Sequence, residues 1–94
     1  MRSRYSAFAV ADAAYLLSTW HPTTRPATVE TPRGRQWMGL EILDVVNGTA
    51  FHQEGVVEFT ARYRENGRAG ALHERSRFVR HDGRWHYLDA EFAV

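Results

Sequence analysis

The chain has 94 residues, 24% charged and 44% apolar, with a formal net charge of +1 and no cysteine. That is one soluble-type domain with a modest core, 1–94. It has no disulfide, no cysteine-ligated zinc and no general electrostatic pull toward nucleic acid or an anionic membrane. All twelve basic residues are arginine, which the base composition of a genome explains without any function. No apolar run approaches the ~18 residues of a membrane span. Tyr5 to Leu17 is broken by Ser6, Asp12 and Tyr15, unlike a signal peptide. A cytoplasmic protein fits these features.

Met1 to Trp20 reads as helix in two pieces, with stripes Tyr5, Phe8, Ala9 and then Ala13, Leu16, Leu17, Trp20. Asp12 suits an N-cap between them, reaching the amide of Ala14 or Tyr15. His21 precedes Pro22 and should close the helical region. Pro22 to Arg35 holds all three prolines and four threonines without hydrophobic periodicity. It reads as a long connection to a sheet, whether a plain crossover or the edge of a site. Gln36 to Val46 is the first strand, but its apolar residues fall on both parities, so its faces stay unassigned. Asn47-Gly48 opens a loop that takes in Phe51-His52-Gln53. The C-terminus, from Ala90, either continues the last strand or leaves it.

Glu54 to Glu91 is the organising stretch. Asn66-Gly67 and Asp82-Gly83 each divide alternating apolar and polar runs, the pattern of two-residue hairpin loops. The first loop sets Glu65 against Arg68, Ala61 against Leu72, Phe59 against Glu74 and Val57 against Ser76. The second sets His81 against Arg84, Phe78 against Tyr87 and Ser76 against Asp89. Side chains alternate with period two. One face therefore carries Val57, Phe59, Ala61, Tyr63, Leu72, Glu74, Ser76, Phe78, Trp85, Tyr87, Asp89 and Glu91. The other carries Glu58, Thr60, Arg62, Arg64, His73, Arg75, Arg77, Val79, His86, Leu88, Ala90 and Phe92. The expected architecture is α+β, with N-terminal helices packed on a roughly four-stranded antiparallel sheet.

The order of several motifs resembles the central domain of the YchJ-like family. They are Met-Arg-Ser-Arg-Tyr-Ser-Ala-Phe at 1–8, Ala-Asp-Ala-Ala-Tyr-Leu-Leu at 11–17 and Thr-Trp-His-Pro at 19–22. Trp-x-Gly-Leu at 37–40 follows, and then His-Glu-Arg-Ser-Arg-Phe-Val-Arg and Gly-Arg-Trp-x-Tyr-x-Asp across 73–89. The resemblance implies a nuclear transport factor 2-like fold, a curved sheet wrapped round helices as a cone with a pocket. Such families usually carry SEC-C zinc motifs beside this domain, and this chain has none. Met1 falls on a methionine inside the family pattern. That fits a trimmed piece, a late start codon or a natural short form. The resemblance assigns no activity, and the fold serves enzymes and binding modules alike.

The inward face is aromatic, yet acids and a hydroxyl interrupt it. Glu74 and Asp89 are the catalytic candidates, diagonal neighbours roughly 7–8 Å apart at the backbone. Tyr63, Glu74, Ser76, Phe78, Trp85, Tyr87 and Asp89 are the candidate pocket. In it one carboxylate would serve as general base of a lyase, isomerase or hydrolase acting on a small apolar molecule. Against that stands a buried ion pair, with Arg2 or Arg4 of the opening helix neutralising the acid. Arg62, Arg75, Arg77, Leu88 and Phe92 mark the outer face as solvated surface or as a homodimer interface, with nucleic acid disfavoured. No metal or cofactor is expected, since the histidine spacing fits no metal motif and no phosphate loop occurs. The leading expectation is a non-enzymatic module that binds a small molecule or a protein.

Overall fold

The computed structural model describes residues 1–31, 34–49 and 51–94. Helix α1 spans Arg2–Ala9 and helix α2 Ala13–Ser18. Strands β1 (Arg35–Asn47), β2 (Glu54–Glu65), β3 (Arg68–His81) and β4 (Arg84–Ala93) follow as one antiparallel meander in the order β1-β2-β3-β4. Of the long connection, Pro32 and Arg33 lie outside the described residues, as does Ala50 in the loop before β2.

The division of the helical region into two pieces holds, but α2 ends at Ser18 and Trp20, expected in its stripe, lies beyond it. Ala11, at φ 57°, turns the chain between the pieces, and the Asp12 carboxylate accepts from the Tyr15 amide at 3.1 Å. Both hairpin loops adopt positive φ at each central residue: Asn66 53° and Gly67 75°, Asp82 52° and Gly83 77°. That is the requirement of a type I′ turn, met by Asn or Asp at the first position and Gly at the second. The β2–β3 register follows the turn throughout, with Glu65 opposite Arg68, Phe59 opposite Glu74 and Val57 opposite Ser76.

β1 resolves the parity conflict with two bulges. Trp37 pairs with Tyr63 but Gly39 with Arg62, leaving Met38 as an extra residue; Leu43 is extra between Ile42 and Asp44. Each extra residue flips the parity that follows it. Trp37, then Leu40 and Ile42, then Val45 thus share the face of Tyr63, Ala61, Phe59 and Val57. An apolar pattern out of phase with a straight strand becomes in phase with a bulged one.

β4 behaves likewise, and here the expected facing is corrected. Phe78 pairs with Tyr87 as predicted, but Arg77 pairs with Asp89 and Ser76 with Ala90, making Leu88 an extra residue. A second extra residue, Glu91, precedes the Arg75–Phe92 pair. Asp89 and Glu91 therefore leave the inner face, while Ala90 joins it. The outer-face arginines explain the shift: Arg77 grips Asp89 through Nε at 2.6 Å and Nη2 at 2.5 Å, and Arg75 Nε meets Glu91 at 3.0 Å. A bidentate guanidinium–carboxylate pair outweighs a carboxylate left among aromatic rings.

The helices cover the inner face. Tyr5 and Phe8 of α1 meet Trp37 with ring centroids 6.0 and 6.3 Å apart. Past α2 the chain runs parallel to β4. The Tyr87 amide donates to Thr19 O at 2.8 Å, the His21 amide donates to Tyr87 O at 2.7 Å, and Trp20 forms an isolated bridge with Tyr87. The buried core is small: Ala7, Leu16, Phe59, Ala61 and Phe78, with Arg4 and Ser76 as buried polar residues. At the far end β4 stays in the sheet, Val94 and His73 exchanging backbone hydrogen bonds of 2.8 Å.

Candidate functional site

Between the helices and the inner face lies a cavity of about 170 Å³. Tyr5, Phe8, Phe59 and Leu72 form its apolar wall, and Arg4, Glu74, Trp20 and Tyr87 form a polar end. Met1 and Ala61 complete the lining. The positions follow from local structure. Arg4, Tyr5 and Phe8 lie three or four residues apart or adjacent on α1 and so share a sheet-facing side. Phe59 and Glu74 are directly opposed on β2 and β3. The parallel bridge fixes Trp20 over Tyr87, their rings edge to face at 4.9 Å and 85°.

Arg4 is only 4% exposed. Its Nη1 donates to Leu16 O at 2.9 Å and to Thr19 Oγ1 at 2.6 Å, and its guanidinium carbon lies 4.7 Å from the centre of the Tyr87 ring and 5.2 Å from that of Trp20. Burial lowers the Arg4 pKa, with the nearby phenol and Glu74 opposing that trend. No carboxylate comes within ion-pair distance of Arg4 among the described residues. The expected direct pair with Glu74 is thus a through-space one. The pair with Asp89 is excluded by the facing, and Arg2 is exposed.

Glu74 is held by one oxygen. Ser76 Oγ donates to its Oε2, and the Tyr87 hydroxyl stands 3.5 Å from the same atom. Ser76 is fully buried, so it positions Glu74 rather than facing a ligand. Burial and then the charge of Glu74 push the Tyr87 phenol well above its ordinary value. Trp20 Nε1 is sealed from solvent without an acceptor among the described residues.

Of the residues singled out in the sequence, the structure brings Glu74, Tyr87 and Arg4 to the cavity. It does not bring Tyr63, Phe78, Trp85 or Asp89. Tyr63 packs on Trp37 at 5.4 Å and under Arg35 at 4.1 Å. Phe78 and Trp85 border a separate hollow beside Met1, Val45 and Val57. Asp89 forms its outer-face pair with Arg77, which depresses its pKa. The cavity residues not anticipated are Met1, Tyr5, Phe8, Trp20, Phe59, Ala61 and Leu72. Phe59, Ala61 and Leu72 share the predicted inward face with Glu74, and Tyr5 and Phe8 belong to the α1 stripe. Crossing that stripe with that face was the available signal.

The outer face is laced with ion pairs. Arg62 meets Glu41 at 3.1 Å. Arg75 gathers Glu58 at 3.0 Å, Asp44 at 3.3 Å and Glu91 at 3.0 Å, and its pKa rises accordingly. Glu58 also meets His73 at 2.6 Å, and these contacts hold its pKa down, that of His73 foremost. Leu88 and Phe92 share this face, Phe92 packing on His73 at 5.0 Å. His81 sits between His21 and His86, at 5.0 and 5.4 Å, but no group of three His, Asp or Glu residues among those described could hold a metal ion. Among the described residues no helix is long and apolar enough to cross a membrane.

Two helices laid on a four-stranded antiparallel sheet define an α+β domain. The chain belongs to the family of the YchJ middle, NTF2-like domain, whose model matches residues 1–90. It is 59% identical to a UPF0225 protein of Streptomyces coelicolor, over 98% of this chain and 71% of that protein. To a UPF0225 protein of Polaromonas naphthalenivorans it is 54% identical, over 97% of this chain and 65% of that protein. The chain thus spans about two thirds of the length of these relatives. The solution structure of a SEC-C motif containing protein from Rhodopseudomonas palustris has the same fold, with a TM-score of 0.83 and 32% identity over 97% of this chain and 73% of that one.

Proposed function

We propose that this domain is a small-molecule-binding module whose ligand occupies the cavity between α1 and the inner sheet face. The observation that carries this reading is a buried arginine and a carboxylate that border one cavity without touching. A purely structural arginine would close onto the acid, since an uncompensated buried charge is costly. Here the two are held apart, Arg4 by Leu16, Thr19 and two rings, and Glu74 by Ser76.

The enzyme reading is weaker than the sequence suggested, because the second carboxylate lies on the opposite face. Glu74 alone, beside a phenol whose proton is held tightly, lacks a partner to return a proton. The homodimer reading is likewise weaker. Arg62, Arg75 and Arg77 are each paired within the chain, so burying them against a second copy would break pairs rather than form them.

The test is ¹⁵N–¹H NMR of the chain under xenon pressure and with benzene. Occupation of the cavity should shift the amides of Ala61 and Leu72 and leave those of Arg62 and Arg77 in place. An unchanged spectrum under both would end the ligand-binding reading.

A further inference from the structure

The shape of the polar end specifies more than a cavity, and it narrows the chemistry of what can bind. About 170 Å³ is a little more than a cavity of ~150 Å³ known to hold one benzene molecule. The occupant is therefore about one ring in size, clasped by Tyr5, Phe8, Phe59 and Leu72.

Two groups at one end are left with unmet hydrogen bonds. Arg4 uses Nη1 alone, and its Nε and Nη2 have no acceptor among the described residues. Nor are those nitrogens sealed in protein, since the sealed unpaired nitrogen is Trp20 Nε1. Glu74 accepts through Oε2, and its Oε1 has no donor among the described residues. A cationic donor and an anionic acceptor thus border the same space with a gap between them.

The charges decide which group bridges that gap. Arg4 and Glu74 balance one another. A carboxylate entering beside Glu74, or an ammonium beside Arg4, would bring an uncompensated charge into an apolar enclosure. A neutral group that accepts on one side and donates on the other satisfies both. Beyond these two groups, the Met1 amine also borders the site. Burial, Arg4 and Arg2 lower its pKa from 8.0, which favours its neutral form.

We propose that the cavity binds a neutral, ring-sized carboxamide or its hydrogen-bonding equivalent, the carbonyl accepting from Arg4 and the N–H donating to Glu74. This rests on the ligand-binding reading above and adds the class of ligand.

Four singly substituted benzenes decide it: benzamide, benzoate, benzylamine and toluene, titrated at about pH 8.5 and followed at the Ala61 and Leu72 amides. Benzamide should bind at least tenfold more tightly than each of the other three. The Glu74→Gln variant leaves Arg4 without its counter-charge, so benzoate should overtake benzamide there. Benzoate or benzylamine matching benzamide in the unmodified chain overturns the proposal, as does a Glu74→Gln variant that folds and keeps the original ranking. Toluene binding as tightly as benzamide also overturns it, while leaving the cavity itself as a ligand site. Failure of all four probes, with xenon and benzene failing too, removes the ligand-binding reading underneath. The ranking in the unmodified chain needs no variant, so misfolding of Glu74→Gln leaves the test intact.

Discussion

Replacing Arg4 by Met removes a charge that is only 4% exposed to solvent and borders the cavity. Its Nη1 makes two hydrogen bonds, at 2.9 and 2.6 Å, and the guanidinium stacks at 4.7 and 5.2 Å on Tyr87 and Trp20. Hydrogen bonds from a charged donor contribute roughly 1.5–3 kcal/mol each, and a desolvated cation–π contact adds about 1–2. Against this stands the several kcal/mol that burying a guanidinium costs, which methionine avoids. The balance is a loss of about 3 kcal/mol, because Leu16 O loses its charged donor and Glu74 loses its compensating charge. In a domain of this size that lowers the melting temperature by about 12–24 °C. Urea unfolding followed by tryptophan fluorescence measures the difference directly. Arg4→Lys should recover part of the loss, because an ammonium keeps the charge without the planar stack. A change below about 0.5 kcal/mol for Arg4→Met would refute the account. Full recovery by lysine would show that charge alone matters there.

Three further outcomes follow from the same geometry. Asp89→Asn should cost less than about 1 kcal/mol near neutral pH, because the side chain is 38% exposed and solvent screens the Arg77 pair. Arg77 depresses the folded pKa of Asp89, so the contribution of the pair is full above the ordinary carboxylate value and is lost as pH falls through the lower folded one. The urea midpoint of Asp89→Asn should therefore depend less on pH below about 4 than that of the unmodified chain, and parallel curves would contradict the pairing. The Tyr87 phenol, held above its ordinary 10.0 by burial and Glu74, favours the neutral form in the fold. Its contribution is full below that value and is lost as pH rises toward the folded one. An absorbance titration at 295 nm should show one tyrosine ionising late, a phase that Tyr87→Phe removes. Ala11→Gly should stabilise the chain by about 0.5–1 kcal/mol, since φ 57° strains alanine but not glycine; thermal unfolding that shows a loss would place the strain elsewhere.

The hairpin registers were legible because the torsions that Asn66-Gly67 and Asp82-Gly83 prefer set strand pairing locally. The Asp12 cap and the division of the helical region were legible for the same reason. Each is settled by residues within a turn of one another, so a reading of neighbours suffices. The inward placement of Phe59, Leu72, Glu74, Phe78 and Tyr87 followed from those turns by simple alternation.

Alternation failed where the ladder gained a residue. Nothing local to Leu88 or Glu91 marks a bulge. The extra residues are selected by partners on other strands, Arg77 for Asp89 and Arg75 for Glu91. In β1 the conflicting parity was itself the trace of two bulges, yet it became readable only once β2 supplied a register. The cavity, too, was beyond the sequence, because it lies where a stripe of α1 crosses a face of the sheet. By itself the sequence determined the turns, the helix cap and the pairing they impose, since those energies are short-ranged. The tertiary structure alone decided which acid stays inside with Arg4, because that choice compares a long-range ion pair on one face with desolvation on the other.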